Sequence, residues 1–213
     1  MSRLLLARHG QSLSNAVRRF QGLQDVALSE LGVRQAAALG QALCGRRVVA
    51  IYASPLTRAR RTAEIAAEGL GLPVTQVDDL RELSLGEWEG QTVEEISARP
   101  GNPYTQWVRD PVAYLPPGAE PLSDVQARVV RAMEAIAAAH PNGQEALVVC
   151  HGGVISAYLA HCLGLPLRSI WRLTLSNGSL TEIAPPRVRS VNSTRHLAGL
   201  AAGGPLAPSR FGV

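Results

Sequence analysis

Lysine is absent from this chain: all 21 basic side chains are arginine. That absence excludes Schiff-base chemistry, a lysine general base and the lysine-bearing phosphate loop of Walker type. It leaves an anionic ligand open, because guanidinium grips phosphate through paired N–H donors. Aromatic residues are scarce at 4%, and the arginines are scattered rather than gathered in a stripe. The stacking platform of a nucleic-acid binder is therefore missing, and no nucleic-acid partner is expected. Cys44, Cys150 and Cys162 are odd in number and lack paired spacing, which fits reduced thiols rather than a disulfide framework. No apolar run approaches the roughly 20 residues of a membrane span. The apolar stretch near the start stops at Arg8, unlike a secretory leader. We expect a cytoplasmic protein with no membrane partner.

With 213 residues, 46% hydrophobic and 18% charged, the chain is long enough for one substantial core. A single domain over 1–198 is expected, with a flexible tail over 199–213. Apolar, β-branched runs near 3–7, 48–53, 73–77 and 145–150 read as buried strands. Alanine-rich helical segments lie between them. Ser29 is suited to cap a helix that runs to about Cys44 and stops at Gly45. Pro55 marks a second helix start, with Gly69 or Gly71 at its end. A third helix is predicted from about Leu122 to His140, and a fourth from after His151 to about Gly164-Leu165-Pro166. Strands alternating with helices give an α/β three-layer sandwich, a mostly parallel central sheet with helices on both faces. Residues 171–184 read as a hairpin turning at Asn177-Gly178, which could add an antiparallel edge strand. Residues 83–120, with Pro100, Pro103, Pro111, Pro116 and Pro117, read as an irregular connection that covers a substrate site.

Two stretches share an unusual ending. "LLLARHGQS" (4–12) and "ALVVCHGGV" (146–154) are both buried-looking strands that end in His-Gly. Ligands of open α/β sheets bind beyond the carboxyl ends of the strands, so His9 and His151 could converge across a crevice. Gly10 and Gly152 would leave backbone amides open, and the helix after His151 would add its positive end. Arg8 and Arg58 supply planar donor forks, and Asn15 could add a neutral donor. The ligand this environment suits is an anion. The residues alone do not separate Arg58 from Arg60 and Arg61, or Glu82 from Glu87 and Glu89. Ser12, Gln21 and Gly22 fit substrate contact and turn formation equally well.

Five stretches then occur in a telling order: "RHGQSLSN" (8–15), "GLQDVALSELGVRQA" (22–36), "SPLTRARRTAE" (54–64), "RELSLGEWEG" (81–90) and "VVCHGG" (148–153). In that order the chain resembles the phosphoglycerate mutase-like branch of the histidine phosphatase superfamily over about residues 3–183. Gln11 stands where glutamate is also common. The resemblance implies that His9 is a nucleophile carrying a phosphohistidine, with Arg8, Arg58 and His151 binding the equatorial oxygens. It selects Glu82 as the acid that protonates the leaving alkoxide and then activates water. It implies no metal and no cofactor.

The expected reaction is hydrolysis of a small phosphomonoester. The alternatives are mutase-type phosphoryl transfer, or an idle phosphate-binding protein on the same fold. The resemblance implies that mutases hold a second anionic group with a longer, more basic insert. Here the 83–120 segment offers only Arg99 and Arg109, and "LGEWEG" with Trp88 looks like the phosphatase members. The stretch "HCLGLPLRS" (161–169) has the outline of a cysteine-dependent phosphatase loop. Pro166 lacks one of the N–H groups such a cradle needs, and a helix end capped by Gly164, with Cys162 as a buried apolar residue, fits better. A homodimer through an edge strand or the 163–175 region is compatible with the sequence, which does not decide it.

Overall fold

The computed structural model describes residues 2–200. Of the tail placed at 199–213, all but Gly199 and Leu200 lie outside the described residues. The strands are β1 (Arg3–Arg8), β2 (Val48–Ala53), β3 (Val74–Gln76), β4 (Glu145–Cys150), β5 (Leu180–Ala184) and β6 (Arg187–Ser193). The α-helices are α1 (Leu13–Ala16), α2 (Glu30–Leu43), α3 (Thr57–Ala67), α4 (Val93–Ser97), α5 (Pro103–Arg109), α6 (Leu122–Ala139) and α7 (Gly152–Leu163). The strands form one sheet in the order β3-β2-β4-β1-β5-β6. The first four are mutually parallel, while β5 and β6 are antiparallel at the edge.

The period-two geometry of a strand explains why the central runs are apolar throughout. Leu4, Leu6, Ala146, Val148 and Cys150 point into a core shared with α6 and α7. Leu5, Ala7, Leu147 and Val149 point the other way, against Leu39 and Leu43 of α2 and Ala59, Ala63 and Ala66 of α3. Both faces of β1 and β4 are dry, so alternation has no solvent side to record. The small side chains of α3 let it approach α2 closely: a Cβ at Gly40 would fall 2.9 Å from the Ala66 carbonyl oxygen.

Helix ends follow local chemistry. Ser29 accepts from the Gly32 amide at the start of α2. The first turn of α3 has no cap of its own, and Asp25 from a distant loop accepts from Thr57 N at 2.7 Å and Thr57 Oγ1 at 2.8 Å. Gly164, at φ +62°, ends α7. The stretch around Cys162 is thus a helix C-terminus, with Cys162 half-buried rather than fully enclosed.

Two expectations are corrected. The hairpin at the sheet edge turns at Pro185-Pro186, joined by a cis peptide, between β5 and β6. Asn177-Gly178 forms a separate turn, because residues 167–172 are a 3-10 helix and no strand precedes it. Residues 83–120 are also less irregular than expected. Thr92 and Glu95 form a capping box at α4, and Asn102 with Pro103 opens α5. Trp88, Ile96 and Trp107 bury this segment in the main core.

Candidate active site

β1 and β4 pair with Arg8 level with Cys150, so the next residue of each strand is a histidine at the same height. The His9 and His151 rings meet edge to face with centroids 5.1 Å apart. His9 Nδ1 lies 2.7 Å from the Gly10 carbonyl oxygen. A carbonyl only accepts, so Nδ1 carries the proton and Nε2 keeps a lone pair. Burial, then Arg58 and Arg8, hold the His9 pKa well below the usual histidine range, so the ring is neutral at pH 7. Gly10 is required by crowding: a Cβ there would lie 2.4 Å from the Gly32 carbonyl oxygen.

Arg8 is buried, and its Nη1 donates to the Leu175 carbonyl at 2.5 Å. Burial lowers its pKa to about 10, which leaves it charged. Arg58 is buried in the first turn of α3 and donates to the carbonyls of Gln24 at 2.8 Å and Gly22 at 2.9 Å. Arg60 and Arg61 both pair with Glu64 on the outer side of the helix. Helix geometry separates the three arginines that the sequence left tied.

Among the described residues, four buried nitrogens have no hydrogen-bond partner: Arg8 Nε, Arg58 Nε, Asn15 Nδ2 and His151 Nδ1. Asn15 Oδ1 accepts from Ser12 N at 3.2 Å and Asn177 Nδ2 at 3.1 Å, which fixes the amide with its NH2 on the other side. Asn177 Nδ2 also approaches the His9 carbonyl at 3.3 Å. His151 Nε2 bonds the Ser54 hydroxyl at 2.8 Å. When that hydroxyl donates, the neutral ring presents an N–H at Nδ1. Buried donors without acceptors are costly, and Arg8, Arg58 and His151 are near neighbours of His9. This is a site shaped for an anion.

Glu82 is buried beside them, accepting from Leu83 N at 3.1 Å and Gly153 N at 3.4 Å. Burial raises its pKa, against the opposing pull of Arg58 and Arg8. Its two competitors are placed elsewhere. Glu87 is exposed, and Glu89 Oε1 accepts from Leu23 N at 3.1 Å and Leu85 N at 3.0 Å, tying two loops together. His9, Gln21, Gly22, Arg58 and Glu82 line one cavity, with Phe20, Leu83, Leu85, Trp107 and Trp171. Gly153 lines it as well, whereas Gly152, Arg8, Asn15 and His151 lie behind the lining residues. Gly22 sits at φ +50° with Glu89 packed where its Cβ would be, so it serves as a turn as well as a wall. Ser12 caps α1 and donates to Gln21 Oε1 at 2.8 Å. Gln11 ties the loop to α2 through Ser29 and Gln35.

Sequence reasoning missed Arg128. From the buried face of α6 its guanidinium bonds both oxygens of Glu120 at 2.8 and 2.9 Å and the carbonyls of Asp79, Arg81 and Glu82 at 2.7, 2.7 and 3.2 Å. All five N–H donors are used. They fix the turn that carries Glu82, and nothing at residue 128 except an arginine on a helical apolar face signals it. Arg128→Met is expected to cost about 3–5 kcal/mol of stability, as for removal of one partner from a buried ion pair. The check is a lower urea midpoint at unchanged slope.

Residues 4–192 match the model of the histidine phosphatase superfamily (branch 1). The chain belongs to that superfamily. Phosphoserine phosphatase 1 of Hydrogenobacter thermophilus is 36% identical over 201 residues, covering 92% of this chain and 95% of that protein. The structure of Bacillus stearothermophilus YhfR superposes with a TM-score of 0.85 at 34% identity, covering 92% and 100% of the two chains. A mycobacterial glucosyl-3-phosphoglycerate phosphatase in complex with VO3 gives 0.83 at 34% identity, with 90% and 99% covered. This histidine phosphatase thus has the mixed six-stranded α/β architecture of its structural neighbours. Among the described residues no helix is long and apolar enough to cross a membrane, and no group of three His, Cys, Asp or Glu side chains could hold a metal ion.

Proposed function

We propose that this protein is a metal-independent phosphomonoesterase that hydrolyses a small phosphorylated metabolite through a phosphohistidine on His9. The observation that carries the reading is the anchored, neutral His9, with Nε2 unprotonated, together with nitrogens of Arg8, Arg58, Asn15 and His151 left unsatisfied among the described residues. Nε2 attacks phosphorus, the P–N bond forms and the bond to the ester oxygen breaks. Glu82 gives its proton to that oxygen. Arg8, Arg58, Asn15 and His151 hold the equatorial oxygens, where the transition-state charge gathers. Water then attacks phosphorus, Glu82 takes its proton and the P–N bond breaks, releasing phosphate and neutral His9. The guanidinium groups supply the electrostatic role that a metal has elsewhere. Gln21 and Gly22 form the wall next to the reacting group. Three free thiols fit a reducing compartment, and we place the protein in the cytoplasm.

The phosphoserine and glucosyl-3-phosphoglycerate phosphatases are named for different esters, and a relative in Yersinia pestis is named a probable phosphoglycerate mutase, so the names support phosphomonoester chemistry rather than one substrate, with mutase-type transfer as the alternative. The reading is tested by quenching turnover of a 32P-labelled phosphomonoester and mapping the trapped label. The expected result is acid-labile, base-stable label on His9, also in Cys162→Ser, whose activity stays near that of the parent. Label on another residue, or competent turnover with no covalent species, would overturn it.

A further inference from the structure

The cavity lining is of two chemistries. His9, Arg58 and Glu82 are its ionisable side chains, while Phe20, Leu83, Leu85, Trp107 and Trp171 make up the apolar lining. Three of these rings brace one another. Trp107 and Trp171 have centroids 4.6 Å apart, and Phe20 meets Trp107 almost at right angles at 5.9 Å. Trp171 is 7% exposed, and its indole Nε1 has no partner among the described residues. An indole N–H in an apolar wall normally finds an acceptor, and Trp171 lines the cavity with this donor unpaired among the described residues.

Charge is distributed just as unevenly. Arg58 is the one cation among the described residues that line the cavity, and in the proposed reaction it serves the phosphate. A leaving group with its own carboxylate would be desolvated against indole rings, with no cation left to pair it and Glu82 close by. Building on the phosphomonoesterase reading, we infer that the apolar wall is a leaving-group subsite that takes an uncharged alcohol. That alcohol has a flat or apolar flank and an acceptor oxygen for Trp171 Nε1. Trp171 is then a specificity-determining residue, and carboxylate-bearing esters such as those of serine or glycerate are disfavoured.

The test compares kcat/KM for two alkyl esters of similar intrinsic reactivity, 2-phenoxyethyl phosphate and phosphoserine, in the parent enzyme, Trp171→Phe and His9→Ala. The neutral ester is expected to be preferred by at least about 100-fold, the scale on which an unpaired buried polar group discriminates. Trp171→Phe keeps a ring but loses the donor, and the preference should narrow by about tenfold, the value of one hydrogen bond, through a higher KM for the neutral ester. The ratio is internal to each variant, so partial misfolding cancels. Equal or better hydrolysis of phosphoserine, dependent on His9, would overturn the subsite and leave the phosphatase standing. An unchanged ratio in Trp171→Phe would remove the role of the indole N–H. Hydrolysis of neither ester by the parent, with none of several other phosphomonoesters cleaved either, would overturn both readings.

Discussion

His9→Ala is expected to lower turnover of every phosphomonoester by on the order of 10⁴-fold or more, because the covalent route disappears rather than slows. Alanine leaves no nitrogen lone pair at the end of β1, and water cannot take its place in the same geometry. The other donors remain: Arg8 is held by the Leu175 carbonyl, Arg58 by Gln24 and Gly22, and Asn15 by Ser12 and Asn177. The variant should therefore still bind inorganic phosphate, measurable by calorimetry, while single-turnover assays show no trapped label. The fold should survive, since the strand is held by its neighbours and the lost contacts are the ring against Gly10 and His151. Residual turnover within tenfold of the parent would show that phosphorus is attacked by something other than His9.

Glu82→Gln is expected to depend on the leaving group. An alkyl alkoxide must be protonated as it departs, and loss of a positioned general acid costs about 10²- to 10⁴-fold. An aryl oxide departs with little help, so kcat/KM for 4-nitrophenyl phosphate should fall far less. The sign of the pH dependence follows from the raised pKa of Glu82, which burial drives upward. The acid must be protonated for the transfer step, so kcat/KM for an alkyl ester falls as pH rises through that pKa. This limb lies above the ordinary carboxyl range in the parent and is missing in Glu82→Gln. Equal losses for aryl and alkyl esters would assign Glu82 a merely structural role. That alternative is real because its oxygens also hold the Leu83 and Gly153 amides. His9 sets no limb near pH 6.5, since its pKa is depressed well below that value.

The parts legible in the sequence are those whose cause is local. β1 and β4 are short runs of apolar residues buried on both faces, and an apolar run stopping at His-Gly marks a strand end whatever surrounds it. The Ser29 cap and Gly164 stop of helices act within one turn. The α4 capping box was equally local, Thr92 followed three residues later by Glu95, but the prolines around it masked the signal. The turn at Asn177-Gly178 has hairpin chemistry but links a 3-10 helix and loop to β5 rather than two strands. Register between strands is a property of the sheet.

The sequence by itself determined the alternation of strand and helix, the histidines at two strand ends, the absence of lysine chemistry and the family resemblance that ordered the motifs. Only the tertiary structure decided which arginine faces inward, because a helix presents Arg58, Arg60 and Arg61 in different directions and packing buries one. Packing likewise separated Glu82 from Glu87 and Glu89, and placed Gly153 in the cavity wall where Gly152 had been expected. It also brought Arg128 to the turn that carries Glu82, across 46 residues of chain, and set Trp107 against Trp171. Such contacts join positions far apart in sequence, and a buried donor or acceptor is satisfied by whatever the fold brings to it rather than by its neighbours in the chain.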